Sequence, residues 1–341
     1  MARIVLISFR LGGTDGVSIE SAKWATALAS LGHVVRTVAG AGVADRMIPS
    51  LAIDATSSTS INEVGDALGD ADLVIVENLA SLPLNLDARE VLYHALDGRR
   101  ALFHHHDLPW QRPHLAHLEG PRDAPLWHHV TINELSRLEL LARGIDAVTM
   151  MNSFDCEPPR GRRDSTRAAL DVDDRSLVLM PTRAIPRKNV EGALAMCEAL
   201  DAVFWLLGPA EDGYGATLQR LIESSNVDVR RDLPEGCDVH DAYAACDLVV
   251  MPSTWEGFGN PVLESVTHRR PLALYPYPVA CEIVDFGFRF FDLGDVVAIK
   301  SFLDNPDYDL YAHNLAIALE HFNISSLPSH LSSLLDSIGV R

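Results

Sequence analysis

Short apolar runs alternate with helix-length amphipathic segments from one end of this chain to the other, and that alternation leaves few folds open. The first half reads as a strand over 4–9, a helix over 18–31, a strand over 34–38, a variable region to about 69, a strand over 72–76, a helix over 88–96 and a strand over 101–105. Residues 130–133 then lead into a helix over 134–143, and 147–150 close the half. The second half repeats the rhythm, with strands over 176–180, 203–207, 227–230, 248–251 and 271–275 and helices over 190–200, 216–224, 239–246 and 261–267. Strands that are apolar throughout, with helices between them, are those of parallel sheets covered on both faces. Between the halves lies Pro158-Pro159-Arg160-Gly161-Arg162-Arg163, whose turn formers and charges read as a solvated linker. The tail over 307–338 reads as helical, with Leu310, Leu315, Leu319, Leu327, Leu331 and Leu335 as its apolar members. No repeat of 20–50 residues underlies the pattern, and 341 residues suffice for two cores.

A net charge of −19 disfavours nucleic acid and anionic membrane, which attract basic surfaces. The helix over 18–31 has one lysine, Lys23, so the basic amphipathic face of a membrane-docking helix is missing and a soluble acceptor or ligand is expected. The apolar runs are too short to cross a bilayer, and Arg10 ends the first one too early for a signal peptide. Five widely spaced cysteines, without a C-x-x-C pair, point to free thiols in the cytoplasm.

The chemistry concentrates where strands end. After the run 248–251 comes Pro252-Ser253-Thr254-Trp255-Glu256-Gly257-Phe258-Gly259-Asn260-Pro261-Val262-Leu263-Glu264. It sets Glu256 at a strand's C-terminal edge and Glu264 about one turn into the next helix, on the side of an open sheet where ligands bind. Gly257 and Gly259 let a ligand approach the main chain, and the free N–H groups of the helix start favour an anion. A carboxylate holds paired hydroxyls, so a hydroxylated anionic ligand fits. After the run 176–180, the loop Pro181-Thr182-Arg183-Ala184-Ile185-Pro186-Arg187-Lys188-Asn189 carries three cations suited to phosphate. A third edge, Arg10-Leu11-Gly12-Gly13-Thr14-Asp15-Gly16, has neither G-x-G-x-x-G spacing nor the Lys-Ser/Thr of a P-loop, yet keeps the strand, glycine loop and helix order of an anion site. In Phe103-His104-His105-His106-Asp107-Leu108-Pro109-Trp110-Gln111-Arg112, strand alternation puts His104 and His106 on one side and His105 on the other. Three consecutive side chains do not close a tetrahedral site, and no Cys or His pair stands nearby at finger spacing, so no metal is expected. Without a ligand role these are partly exposed histidines at a strand end. Asp171-Val172-Asp173-Asp174 has the look of a D-x-D metal motif but falls where a turn is expected.

The Glu256–Glu264 stretch resembles the E-x7-E signature of retaining glycosyltransferases with the two-domain GT-B architecture, especially the large family 4. The resemblance implies an α/β fold of two Rossmann-like domains with parallel sheets facing across a cleft. They would span 1–152 (acceptor) and 153–315 (nucleotide-sugar donor), with a terminal helical segment over 316–341 crossing back. It implies a nucleotide diphosphate sugar as donor, with Glu264 on the ribose and Glu256 on the transferred sugar beside the amides of Phe258, Gly259 and Asn260. Arg183 and Lys188, five positions apart, would hold the diphosphate, with Arg187 exposed, and Gly208 would line the nucleotide pocket. Gly13 and Gly16 would close over the donor phosphates. His106 would reach the donor sugar, with His105 as second choice, and His105, Trp110 and Arg112 would face the acceptor. Glu256, His106, Arg183 and Lys188 are then the catalytic set, and no metal or cofactor is needed. The segment from His105 to Arg112 resembles members that use GDP-mannose, which favours mannosyl transfer to a soluble saccharide or small glycoside. UDP-glucose is the alternative donor, and a sugar-nucleotide epimerase or a catalytically silent nucleotide-sugar binding protein are the alternative functions.

Overall fold

The apolar runs become the central strands of two parallel sheets. The computed structural model describes residues 1–172 and 174–341; Asp173, in the turn expected over 171–174, lies outside the described residues. The first sheet has seven strands, β1 (Arg3–Leu11), β2 (Val34–Gly42), β3 (Arg46–Met47), β4 (Leu73–Glu77), β5 (Ala101–His105), β6 (Trp127–Thr131) and β7 (Val148–Thr149). Their order is β3-β2-β1-β4-β5-β6-β7, and every pair is parallel. The middle strands are buried on both faces, which is why their sequences are mainly apolar rather than alternating, with Glu77, His104 and His105 at the carboxyl ends of β4 and β5. Val5, Ile7, Phe9, Val74, Val76 and Phe103 form one side of the core with the helices Ile61–Leu68 and Leu86–Ala95. The helix Gly16–Ser30 brings Trp24, fully buried, onto the ring of His104 at 4.1 Å, and also packs against the last helix, Leu327–Ser337.

The second sheet has β8 (Leu177–Met180), β9 (Val203–Leu206), β10 (Val229–Arg231), β11 (Leu248–Met251), β12 (Leu272–Leu274) and β13 (Phe291–Asp292), in the order β10-β9-β8-β11-β12-β13, again all parallel. In both sheets the chain first builds outward to one side and then starts again on the other. The reversals fall between β1 and β4 and between β8 and β11. Outside the carboxyl ends of such a strand pair the loops diverge, leaving room for a ligand.

Two compact units result, one of Met1–Ser153 with Ser325–Arg341, the other Phe154–Ile324. The terminal segment expected from 316 onward starts later, because Phe322 is buried against Phe258, Phe286 and Phe288 of the second unit. The basic stretch read as a solvated linker is corrected in part: Pro159, Arg160 and Arg162 are exposed, but its last two arginines are tied down. Arg162 grips Asp241 through Nε (3.1 Å) and a terminal nitrogen (2.6 Å). Arg163 donates to the carbonyls of Ala244, Ala245 and Cys246 at 3.0–3.1 Å and pairs with Asp247. These are the orphan carbonyls at the end of the helix Val239–Ala245, where a cation is favourable.

Candidate active site

The β8–β11 reversal gathers both motifs of the second half. The loop after β8 supplies Arg187 and Lys188, and the loop after β11 supplies Glu256. Lys188 Nζ is ion-paired with Glu256 Oε1, and an Arg187 terminal nitrogen lies 2.5 Å from Oε2. Both Lys188 and Glu256 are buried. Burial pushes the Glu256 carboxyl up, but Lys188 and Arg187 outweigh it and hold it below the ordinary value. Burial pushes the Lys188 ammonium down against the pull of Glu256, so it titrates lower than usual. The loops are laced together by main chain too. Arg187 O accepts from Thr254 N (2.9 Å), an Arg187 terminal nitrogen donates to Trp255 O (2.7 Å), and Asn189 Nδ2 donates to Pro252 O (3.2 Å). Asn189, at φ 50°, also caps the helix Val190–Leu200 by accepting from Gly192 N.

This corrects the expected division of labour among the cations. Arg187, expected to be exposed, is the arginine on the carboxylate, whereas Arg183 is exposed and pairs with Glu211 at 2.7 Å. The glycines keep their importance and change their neighbour. Gly259, at φ 96°, precedes the helix Asn260–Thr267, and a side chain there would stand 2.1 Å from the Tyr277 hydroxyl. That hydroxyl donates to Phe258 O at 2.9 Å. At Gly208 a side chain would stand 2.2–2.3 Å from the Arg183 backbone. In each case what approaches closely is the protein itself. Phe258 has its ring buried, stacked on Phe154 at 5.9 Å, so it offers its main chain and not its side chain. Glu264 accepts from Tyr243 Oη at 2.7 Å, and Tyr243 stacks on His268. Burial, reinforced by Glu264, drives the Tyr243 hydroxyl well above its ordinary value and keeps it a donor.

In the first unit, the loop after β1 feeds the helix Gly16–Ser30, capped by Asp15 accepting from Ser18 N at 3.1 Å. Gly12, not Gly13, takes the left-handed φ of 72°; Gly16 opens the helix. At the end of β5 the three histidines are all buried, unlike the partly exposed histidines of the reading without a ligand role. Their alternation is as read. Nδ1 of His104 and Nε2 of His106 both lie on Oε2 of Glu77, at 3.0 and 2.9 Å. His105 turns the other way, with Nδ1 2.6 Å from Ser81 Oγ and Nε2 2.9 Å from His129 Nδ1. Both of its nitrogens are taken, which removes it from the acceptor-facing set. Trp110 donates to Glu139 at 2.8 Å beneath the Arg143 guanidinium, and Arg112 pairs with Asp107 at 2.7 Å. Trp110 also lines a cavity of about 300 Å³ with Leu118, Gly120 and Arg143.

Glu77 is what sequence reasoning missed here. It is an acid closing an apolar strand, the same signal that exposed Glu256. It would be a third ligand beside two of the histidines, since Glu77, His104 and His106 each bring a ligand atom within 4.8 Å of the others. The surroundings suit hydrogen bonding better than a metal. A ligating imidazole ordinarily donates its second nitrogen to a partner, and Nε2 of His104 is buried without one, under Trp24.

Paired cations and a carboxylate thus meet at the carboxyl edge of a doubly wound sheet, the place where such sheets bind ligands. Residues 162–312 match the model for glycosyl transferases group 1. The fold is GT-B: Anabaena HepE, in complex with UDP-glucose, superposes with a TM-score of 0.74 at 17% identity over 98% of this chain and 99% of its own. WaaG, a glycosyltransferase involved in lipopolysaccharide biosynthesis, gives 0.67 at 16% identity over 97% and 99%. The chain carries a glycosyl transferases group 1 domain over 162–312 and is an enzyme of the hexosyltransferase type. Among its relatives are the mannosylglucosylglycerate synthases of Thermotoga maritima, 25% identical over 97% of this chain and 99% of the relative, and of Petrotoga mobilis, 26% identical over 85% and 86%. No helix among the described residues is long and apolar enough to cross a membrane.

Proposed function

We propose that this enzyme is a retaining mannosyltransferase, taking mannose from GDP-mannose to a small, soluble, acidic glycoside of the glucosylglycerate kind without a metal ion or other cofactor. The observation that carries the reading is the end-to-end likeness to a mannosylglucosylglycerate synthase, over 97% of this chain and 99% of the relative. Lys188, with Arg183 and Arg187, neutralises the donor diphosphate. The amides at Gly259 and Asn260 serve the same charge, Gly208 borders the nucleotide, and Glu264 takes the ribose hydroxyls. Glu256 takes hydroxyls of the transferred sugar. In the first unit, His106 acts on that sugar and Gly13 and Gly16 on the phosphates.

In the reaction the bond from the anomeric carbon to the diphosphate oxygen breaks, and a bond to the acceptor oxygen forms on the same face. The departing phosphate oxygen takes the acceptor's proton, so the products are GDP and an α-mannoside. Fixed cations beside the leaving diphosphate stabilise the charge that develops there, each worth about 3–4 kcal/mol. The free thiols of all five cysteines support a cytoplasmic setting.

The test is product analysis by NMR with GDP-mannose or UDP-glucose, each with and without glucosylglycerate, in excess EDTA. The expected result is acceptor-dependent release of GDP and an α-linked mannoside. Turnover of UDP-glucose alone overturns the donor. Isomerisation of donor without acceptor points to an epimerase, and loss of activity restored by a divalent ion overturns metal independence.

A further inference from the structure

The Glu77–Asn78 pair at the end of β4 holds the histidine loop from two sides. Asn78, at φ 61°, accepts through Oδ1 from the backbone N–H groups of His106 and Asp107 at 3.2 and 3.3 Å, and its own N–H donates to His104 O at 3.1 Å. Glu77, completely buried, takes both His104 Nδ1 and His106 Nε2 on a single oxygen. A carboxylate only accepts, so each of those nitrogens carries its proton toward Glu77. Burial alone would raise the Glu77 carboxyl; His104 and His106 bring it down to about 2, so it stays ionised. Trp24, stacked on His104, closes the far side of the cluster.

We propose that Glu77 is a positioning residue for the transfer reaction: by accepting from Nε2 of His106 it fixes the ring's orientation and tautomer, and presents Nδ1 as a hydrogen-bond acceptor for a hydroxyl of the bound sugar. His104 completes the clamp by occupying the same oxygen from the other side. The proposal rests on the sugar-contacting role given to His106 above. An orienting carboxylate that selects one imidazole tautomer determines which nitrogen faces the substrate.

Two measurements on the full-length enzyme separate the proposal from that reading. The first is the ¹⁵N tautomer of His106 in the unaltered protein, which is independent of whether any variant folds. The Nε2–H form is expected, and the Nδ1–H form overturns the proposal. The second is steady-state kinetics of Glu77→Gln, His106→Ala and the double variant. Gln is neutral, so it no longer holds the two N–H groups by charge, and its amide N–H can turn toward the rings. Glu77→Gln is expected to lower kcat about 10- to 100-fold with KM for donor nearly unchanged. The double variant should be no slower than His106→Ala alone, the non-additivity of residues acting as one unit. Full activity in His106→Ala overturns the role of His106. A slow His106→Ala beside a Glu77→Gln of unaltered kcat overturns only the role of Glu77, as does strict additivity in the double variant.

Discussion

Glu256 shares its buried carboxylate between Lys188 and Arg187, and that sharing sets what a change at any of the three will do. Removing one partner from a buried pair leaves an uncompensated charge, at a typical cost of about 3–5 kcal/mol. Arg187 stays behind in this case, so the lower end applies. Lys188→Met should therefore destabilise the fold by about 3 kcal/mol, read from urea unfolding. It should also reduce turnover about 10²-fold or more. Adding Glu256→Gln should return part of the stability and none of the activity; a double variant no more stable than the single one counts against the pairing. The cations and both glutamates were legible because charged residues at strand ends stand out against apolar runs. Which arginine meets the carboxylate was not legible: Arg183 and Arg187 differ only in how the loop folds after Ile185. The glycines show the same limit. Close approach at Gly259 could be read from its residue type, but nothing in the sequence places Tyr277, eighteen positions later, in the space of the missing side chain.

At the scale of elements, central strands and long helices were readable because burial on both faces favours near-continuous apolar runs. Two-residue edge strands such as β3 and β13 carry too few apolar positions to register. The short helix Arg163–Ala169 was hidden for a different reason, since its arginines look like solvent-facing charge in sequence. Their partners are the carbonyls closing the helix Val239–Ala245, more than seventy positions away. Arg163→Ala should cost about 1 kcal/mol, measured by denaturant titration, with faster hydrogen exchange confined to that helix end and the segment before β11. Unchanged exchange there rejects the capping role. Glu77 belongs to this scale as well: an acid ending β4 gains its meaning only when β5 is laid beside it.

For the molecule as a whole, burial sets the response to acid. It holds His129 and His268 down to about 4, and depresses His104 and His105 as well. In the unfolded chain a histidine titrates near 6.5. Between about pH 6.5 and 4 the unfolded state therefore binds protons that the folded state refuses, and stability falls as the pH falls. Glu77, depressed to about 2, adds its own loss only below about pH 4.5. The urea midpoint should drop between about pH 7.5 and 5, and His268→Gln should flatten that dependence. A midpoint constant over the range contradicts the assignment. The two-part plan of the chain was readable from its repeated rhythm, but the exact crossings were not, because Phe154 and Phe322 join the second unit through aromatic packing that no local pattern announces.

The late return of the chain to its first unit has a consequence for synthesis. The helix Leu327–Ser337 buries Leu327, Leu331 and Leu335 and packs on Gly16–Ser30, yet the whole of Phe154–Ile324 must be translated before it emerges. At the usual elongation rates that interval is on the order of ten seconds or more. On the ribosome, the unit made first is thus the one finished last. The face of its first helix that meets Leu327–Ser337 stays uncovered throughout that wait.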